Sequence, residues 1–166
     1  PDSLIEIGCF AFEKCQGLTS IAIPKNVEEI GSIYFPAFRG CINLTSIEFK
    51  EGMVTIPNRA CWECTALTNV IIPDSVTSIG RYAFRGCKSL TNITIPKNVE
   101  TMDNQIELIF KDCTNLTSIT FAEGMAKIPD YACHGCVALT NVFIPDSVTS
   151  IGASAFDNCT SLDNIN

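Results

Sequence analysis

Along this chain the apolar residues fall into fixed columns that return every 23 to 26 positions. In LTNVIIPDSVTSIGRYAFRGCKS, residues 67–89, the apolar positions are Leu67, Val70, Ile72, Val76, Ile79, Ala83, Phe84 and Cys87. Val70 and Ile72 stand two apart after the polar Thr68 and Asn69, a spacing that predicts a short strand with one buried face. Pro73 has no N–H to give to a ladder, so the strand is expected to end there. Arg81 to Cys87 is expected to form one helical or 3₁₀ turn, too short to stand without packing.

The same columns account for the whole chain. Residues 1–17 read as the last part of a unit, followed by 18–43, 44–66, 67–89, 90–115, 116–138 and 139–161, with 162–166 opening another. The order of one 26-residue and two 23-residue units occurs twice, so residues 18–89 and 90–161 form two super-repeats, identical at more than half of their positions. A unit of this size cannot bury its apolar side alone and needs a similar neighbour above and below. No residues remain for a linker or second domain. The register starts and stops inside a unit, which leads us to expect a fragment of a longer array whose open ends self-associate.

Stacking turns each column into a stripe, and consecutive strands then pair in parallel at about 4.8 Å. The column Asn26, Gly52, Ser75, Asn98, Gly124 and Ser147 is small or polar. Such residues bond turn backbones or, as glycine, adopt unusual dihedrals. The three extra residues of the longer units fall in 32–38 and 103–110 and are expected to bulge opposite the strands.

Composition narrows the function classes. Hydrophobic residues make up 46% of the chain and the mean hydropathy is +0.24, too apolar for disorder. No apolar run approaches the roughly 20 residues a membrane helix needs. The net charge of −7 argues against nucleic acid, which demands clustered Lys and Arg.

Ten cysteines raise the question of chemistry, and their positions answer most of it. Cys15, Cys41, Cys64, Cys87, Cys113, Cys136 and Cys159 share one column, while Cys61 and Cys133 take the place of Phe84 and Phe156 in another. Nine of the ten therefore read as small apolar fillers of the interior, with Cys9 outside it. The CxxC pairs Cys61/Cys64 and Cys133/Cys136 lie three coils apart, roughly 14 Å at the strand spacing. They cannot share one zinc ion, whose ligands converge within about 2.3 Å. Redox use of CxxC would want a helix start in a βαβ unit, which a coil does not supply. Distance alone leaves disulfides between neighbouring column cysteines open.

The lone His134 falls in a column with Trp62, Arg85 and Asp157, read as exposed and variable, with Tyr82 and Tyr131 close by. Thr19, Thr45, Thr68, Thr91, Thr117 and Thr140 form a ladder, whereas a nucleophile is singular. No phosphate loop, zinc helix motif or nucleophile elbow occurs. The reading is no enzyme, no cofactor and no metal.

The pattern L-T-x-I-x-I-P-x-S-V-T-S-I-G-x-x-A-F-x-G-C, carried by 67–89 and 139–161, resembles the BspA-like, or Treponema pallidum type, leucine-rich repeats. Residues 44–66 and 116–138 depart from it through Cys61, Cys133 and an EGM segment. The resemblance implies an α/β-type leucine-rich-repeat solenoid, rich in strand, with short parallel strands on one face and turns or short helical turns on the other. It also implies an extracellular, cell-surface setting, since members come from surface proteins of host-associated bacteria and protozoa and several are adhesins.

A binding surface is then expected where the strand residue between two buried aliphatics points outwards. That column is Ala22, Glu48, Ile71, Thr94, Thr120 and Phe143, with Ile71 and Phe143 as candidate anchors. Two functions compete: an adhesin-like module binding protein or glycan on a host or neighbouring cell, and a structural spacer with no ligand of its own.

Overall fold

The computed structural model describes residues 1–32, 34–102 and 108–166. Among the described residues fourteen short strands follow one another, beginning with β1 (Glu6–Ile7), β2 (Ser20–Ile23), β3 (Glu29–Ile30), β4 (Ser46–Phe49), β5 (Thr55–Ile56), β6 (Asn69–Ile71) and β7 (Ser78–Ile79). The second super-repeat matches β2–β7 with β8 (Asn92–Ile95), β9 (Thr101–Met102), β10 (Ser118–Phe121), β11 (Lys127–Ile128), β12 (Asn141–Phe143) and β13 (Ser150–Ile151), and β14 (Asn164–Ile165) follows. Even-numbered strands stack on one face and odd-numbered strands on a second, all pairs parallel. A ribbon of turns closes each coil. The architecture is a strand-rich parallel solenoid with three sides around one core.

Each corner follows from its residues. The proline that ends an even strand accepts a bond from the valine three residues on, as in Val76 N to Pro73 O at 3.1 Å and Val99 N to Pro96 O at 3.2 Å. This turn redirects the chain into the two-residue odd strand, whose inner residue is buried (Ile30, Ile56, Ile79, Ile128). The small-polar column bonds between coils: Asn26 Nδ2 donates to Asp2 O at 2.6 Å and Asn98 Nδ2 to Asp74 O at 2.7 Å. Ser75 and Ser147 receive the N–H of Gly52 and Gly124 and donate to the carbonyls of Met53 and Met125.

The expected helical turn over 81–87 does not form, and no helix occurs among the described residues. Left-handed residues recur in two columns of the turn ribbon. Phe10, Arg59, Tyr82, Tyr131 and Ser154 occupy the first, and Lys14, Gly40, Glu63, Gly86, Asp112, Gly135 and Asn158 the second. A positive φ breaks any helical run. It also turns alternate N–H groups outwards to the next coil, as in Arg59 N to Arg81 O (2.8 Å), Cys61 N to Ala83 O (2.6 Å) and Glu63 N to Arg85 O (2.8 Å). The ribbon thus bonds along the stacking axis as a sheet does.

The interior is a set of ladders. Phe12 and Phe38 stack with centroids 5.3 Å apart, and Phe84 and Phe110 at 5.7 Å. Cys61 and Cys133 interrupt this column, and in those two coils a phenylalanine appears instead on the strand, at Phe49 and Phe121, where other coils have isoleucine. Phe121 reaches the ring of Phe156 at 6.5 Å. A small residue in one column is matched by a larger one in the other, which offsets part of the lost volume within the coil.

The ladders are not continuous. Among the described residues β2-β4-β6 and β8-β10-β12-β14 form separate sheets on the first face. On the second face the pairing opens between β3 and β5 and between β9 and β11, after each 26-residue unit. In the first of these units Ser32 and Phe35 exchange backbone bonds at 3.1 and 3.2 Å. Tyr34 and Phe35 are exposed there, and the Phe35 ring packs on Phe10 with centroids 5.0 Å apart. Of the matching insertion, residues 103–107 lie outside the described residues.

Candidate functional site

The strand-face column falls into two aligned sets. Parallel register places Ala22, Glu48 and Ile71 side by side, and Thr94, Thr120 and Phe143 likewise. The break between β6 and β8 separates the sets, so the six residues do not share one sheet. Ile71 is 49% exposed and Phe143 50%, while their strand neighbours Ile47, Ile119 and Val142 are buried. Ala22 and Thr94 are exposed, and Glu48 and Thr120 half-buried. Glu48 is held by Lys50 at 2.7 Å, next to Ile71. This face offers two apolar side chains on stiff strands, three coils apart, with polar neighbours.

The threonine column is a ladder as read, with hydroxyls donating to the preceding coil: Thr45 to Thr19 O and Thr68 to Thr45 O, both at 3.2 Å. The cysteines are all free. Cys41, Cys64, Cys87, Cys113 and Cys136 are buried, but Cys15 is exposed and Cys159 partly buried, because the outermost coils are covered from one side only. Core position is therefore not uniform along this column.

The thiols have a further role that spacing did not suggest. Four of the column donate to a carbonyl of the preceding coil: Cys41 to Phe12 O at 2.9 Å, Cys87 to Cys61 O at 3.2 Å, Cys113 to Phe84 O at 3.0 Å and Cys159 to Cys133 O at 3.1 Å. Burial pushes the Cys61 and Cys87 thiols well above the ordinary range, and neighbouring thiols push in the same direction. Both CxxC pairs, Cys61/Cys64 and Cys133/Cys136, are buried among the aliphatic columns of the core, where free cysteine packs as a small apolar residue.

The column of Trp62, Arg85, His134 and Asp157 is not the solvent-exposed set expected from its variability. Trp62, Arg85 and His134 are half-buried because members of consecutive coils lie on one another. Arg85 Cζ sits 5.6 Å from the Trp62 ring centroid and 5.2 Å from that of Tyr82, and Arg59 Cζ sits 5.7 Å from Tyr82. The Trp62 and Tyr82 rings stack at 6.2 Å and 24°. In the second super-repeat the same positions hold Tyr131, His134, Ser154 and Asp157. There His134 Nε2 faces Asp157 at 3.5 Å and Tyr131 packs on the imidazole.

Where the second face opens, grooves appear. One of about 720 Å³ lies over Ile5, Lys25, Glu28 and Val54, and another of about 480 Å³ over Glu100, Lys127, Asp130 and Tyr131. Beside the latter, Asp130 accepts from Lys127 at 3.1 Å and from Ala153 N at 3.2 Å, and these hold its carboxyl below the ordinary carboxylate range.

A parallel solenoid with these columns defines a leucine-rich-repeat protein, and comparison with known proteins agrees. The BspA type leucine rich repeat region, in six copies, matches residues 1–106 and 106–166. The chain belongs to the BspA-type leucine-rich-repeat family. It is similar to the leucine-rich-repeat protein of T. pallidum (30% identity, TM-score 0.69, covering 96% of this chain and 72% of that one). It also resembles a leucine rich cell surface protein of Faecalibacterium prausnitzii (34%, TM-score 0.63, covering 98% and 42%). The pneumococcal vaccine antigen PcpA shares the fold at 20% identity and TM-score 0.61, over 89% of this chain and 41% of that one. No curated protein matches the chain.

Proposed function

We propose that this solenoid is a non-enzymatic interaction module, adhesin-like, displayed at a cell surface and binding a protein or glycan ligand through its strand face. The observation that carries this reading is the pair Ile71 and Phe143: half-exposed apolar residues at equivalent super-repeat positions, each next to a strand residue, Val70 or Val142, that packs on the core. Burying what remains exposed of either side chain against a partner is worth about 1–2 kcal/mol, a large share of a hot spot. BspA-type repeats are typically interaction modules and generally non-enzymatic, and a structural relative is named as a cell surface protein; both support the reading.

The test is adhesion of the 166-residue chain to immobilised matrix proteins and to a glycan array. Ile71→Glu with Phe143→Glu should weaken the strongest interaction at least tenfold and leave the melting temperature unchanged. Unchanged adhesion would turn the reading to the competing one, a spacer that holds other parts of a protein away from a surface.

A further inference from the structure

The turn ribbon carries a second surface, independent of the strand face. We propose that Arg59, Trp62, Tyr82 and Arg85 form a binding site for the carboxylates of an acidic polypeptide segment.

The chain is acidic overall, yet three of its four arginines, Arg59, Arg81 and Arg85, and its only tryptophan lie in the two coils 44–66 and 67–89. Lys88 and Lys111 continue the line along the ribbon. Glu63 and Asp112 stand on the same ribbon, so this corner carries a small excess of cations on a chain that is acidic as a whole. Arg59 and Arg85 are held over the aromatic rings. A guanidinium held in this way keeps N–H donors at its edge, and that fork matches a carboxylate. Asp112 already shows the chemistry, its Oδ2 accepting from Arg85 Nε at 3.2 Å. Arg59 makes no ion pair among the described residues, and its Nε and the Trp62 Nε1 are buried without a partner.

The backbone points the same way. Arg59 and Tyr82 adopt φ of 61° and 54°, a region that favours glycine. Glycine fills the neighbouring left-handed column at Gly86 and Gly135 but is absent from this one. Large side chains are kept where the backbone would prefer none.

The occupant follows from which groups remain open. A sugar ring would need a free aromatic face, but Tyr82 is approached by Trp62 and by both guanidiniums, and Trp62 by Tyr82 and Arg85. What the cluster offers is guanidinium edges on consecutive coils, about 4.8 Å apart along the stack. That is a pair of guanidiniums for neighbouring carboxylates on one flexible chain, with Asp112 the internal group that the chain would displace from Arg85.

Trp62, as the only tryptophan, reports on the site directly. The experiment titrates the full 166-residue chain with a Glu- and Asp-rich peptide, following tryptophan fluorescence, with the matching Gln and Asn peptide, a uronate oligosaccharide and inorganic phosphate as parallel arms. A saturable change is expected with the acidic peptide, at least tenfold weaker with the amide peptide and weakened by salt. Arg59→Lys with Arg85→Lys, which keeps charge and loses the fork, should lower affinity at least fivefold, with circular dichroism unchanged. Equal affinity for the amide peptide, or for the lysine variant, overturns the proposal. Binding of the uronate or phosphate as tight as that of the peptide overturns the assignment of the occupant.

Discussion

The super-repeats 18–89 and 90–161 are two versions of one object. Their buried columns correspond almost residue for residue, down to the paired substitutions Phe49 with Cys61 and Phe121 with Cys133. Their differences collect on the outside: Ile71 against Phe143 on the strand face, and Arg59, Trp62, Tyr82 and Arg85 against Tyr131, His134, Ser154 and Asp157 on the ribbon. In a solenoid each coil's interior is constrained by the coils above and below, whereas its outer residues answer to little else. What differs between the halves is therefore where binding properties can diverge without changing the fold.

The comparison breaks most readily in the core. Phe49→Ala and Phe121→Ala should each cost about 3–5 kcal/mol, and by similar amounts, since both rings are fully buried. Chemical denaturation giving a large cost in one half and a small one in the other would show that the interiors are not equivalent. Cys61→Phe should cost about 1–3 kcal/mol by overpacking. Adding Phe49→Ile should recover most of that loss, because the pair would then match the other coils. A double-mutant cycle with no coupling would mean the volume exchange is incidental.

Glycine substitutions sharpen the comparison on a smaller scale. A Cβ at Gly80 would lie 2.7 Å from Asn58 N and 2.9 Å from Ile56 O, and Gly152 is crowded by the backbone of Asp130 in the same way. Alanine at either should lower the melting temperature by a similar margin. The left-handed column should instead separate the halves. Ser154→Gly is expected to stabilise by about 0.5–1 kcal/mol through relief of the positive φ. Tyr82→Gly should show no such gain, since it also removes the contacts to Trp62, Arg59 and Arg85.

The smallest expected effect is one of pH. Asp130 stands where the first super-repeat has Asn58, each side chain accepting an N–H from the next coil. The Asp130 carboxyl is held below its ordinary value by Lys127 first and Ala153 N second. Its contribution is therefore complete above about pH 4, near the unfolded carboxyl value, and fades as pH falls through the lower folded value. Asp130→Asn should flatten the acid limb of the melting profile slightly, and Asn58→Asp should not steepen it as much, since Glu51, Val54 and Thr55 leave no lysine at the place of Lys127.

Most of the fold was legible because many columns agree at once, and the parallel even strands follow directly from Val70, Ile72 and Pro73. The second face was not, because a two-residue strand such as Ser78–Ile79 is too short to show alternation. The helical turn over 81–87 was expected because Tyr82 gives no sign that it adopts a positive φ, which a glycine there would have done. The strand-face column was legible by alternation, but the break between β6 and β8 was not. The ribbon cluster was misread for an instructive reason. Trp62 and Arg85 share a column, and column-mates on consecutive coils touch, so variability there marked a surface of contacts and not a set of free side chains.

The most direct test of a common interior with separable surfaces is an exchange of the two ribbons. Arg59→Tyr, Trp62→His, Tyr82→Ser and Arg85→Asp are combined with Tyr131→Arg, His134→Trp, Ser154→Tyr and Asp157→Arg, and acidic-peptide binding is mapped by hydrogen exchange. The account predicts a folded chain with a similar melting temperature, in which peptide protection moves from residues 59–85 to 131–157. Loss of folding, or protection that stays in the first super-repeat, would contradict it.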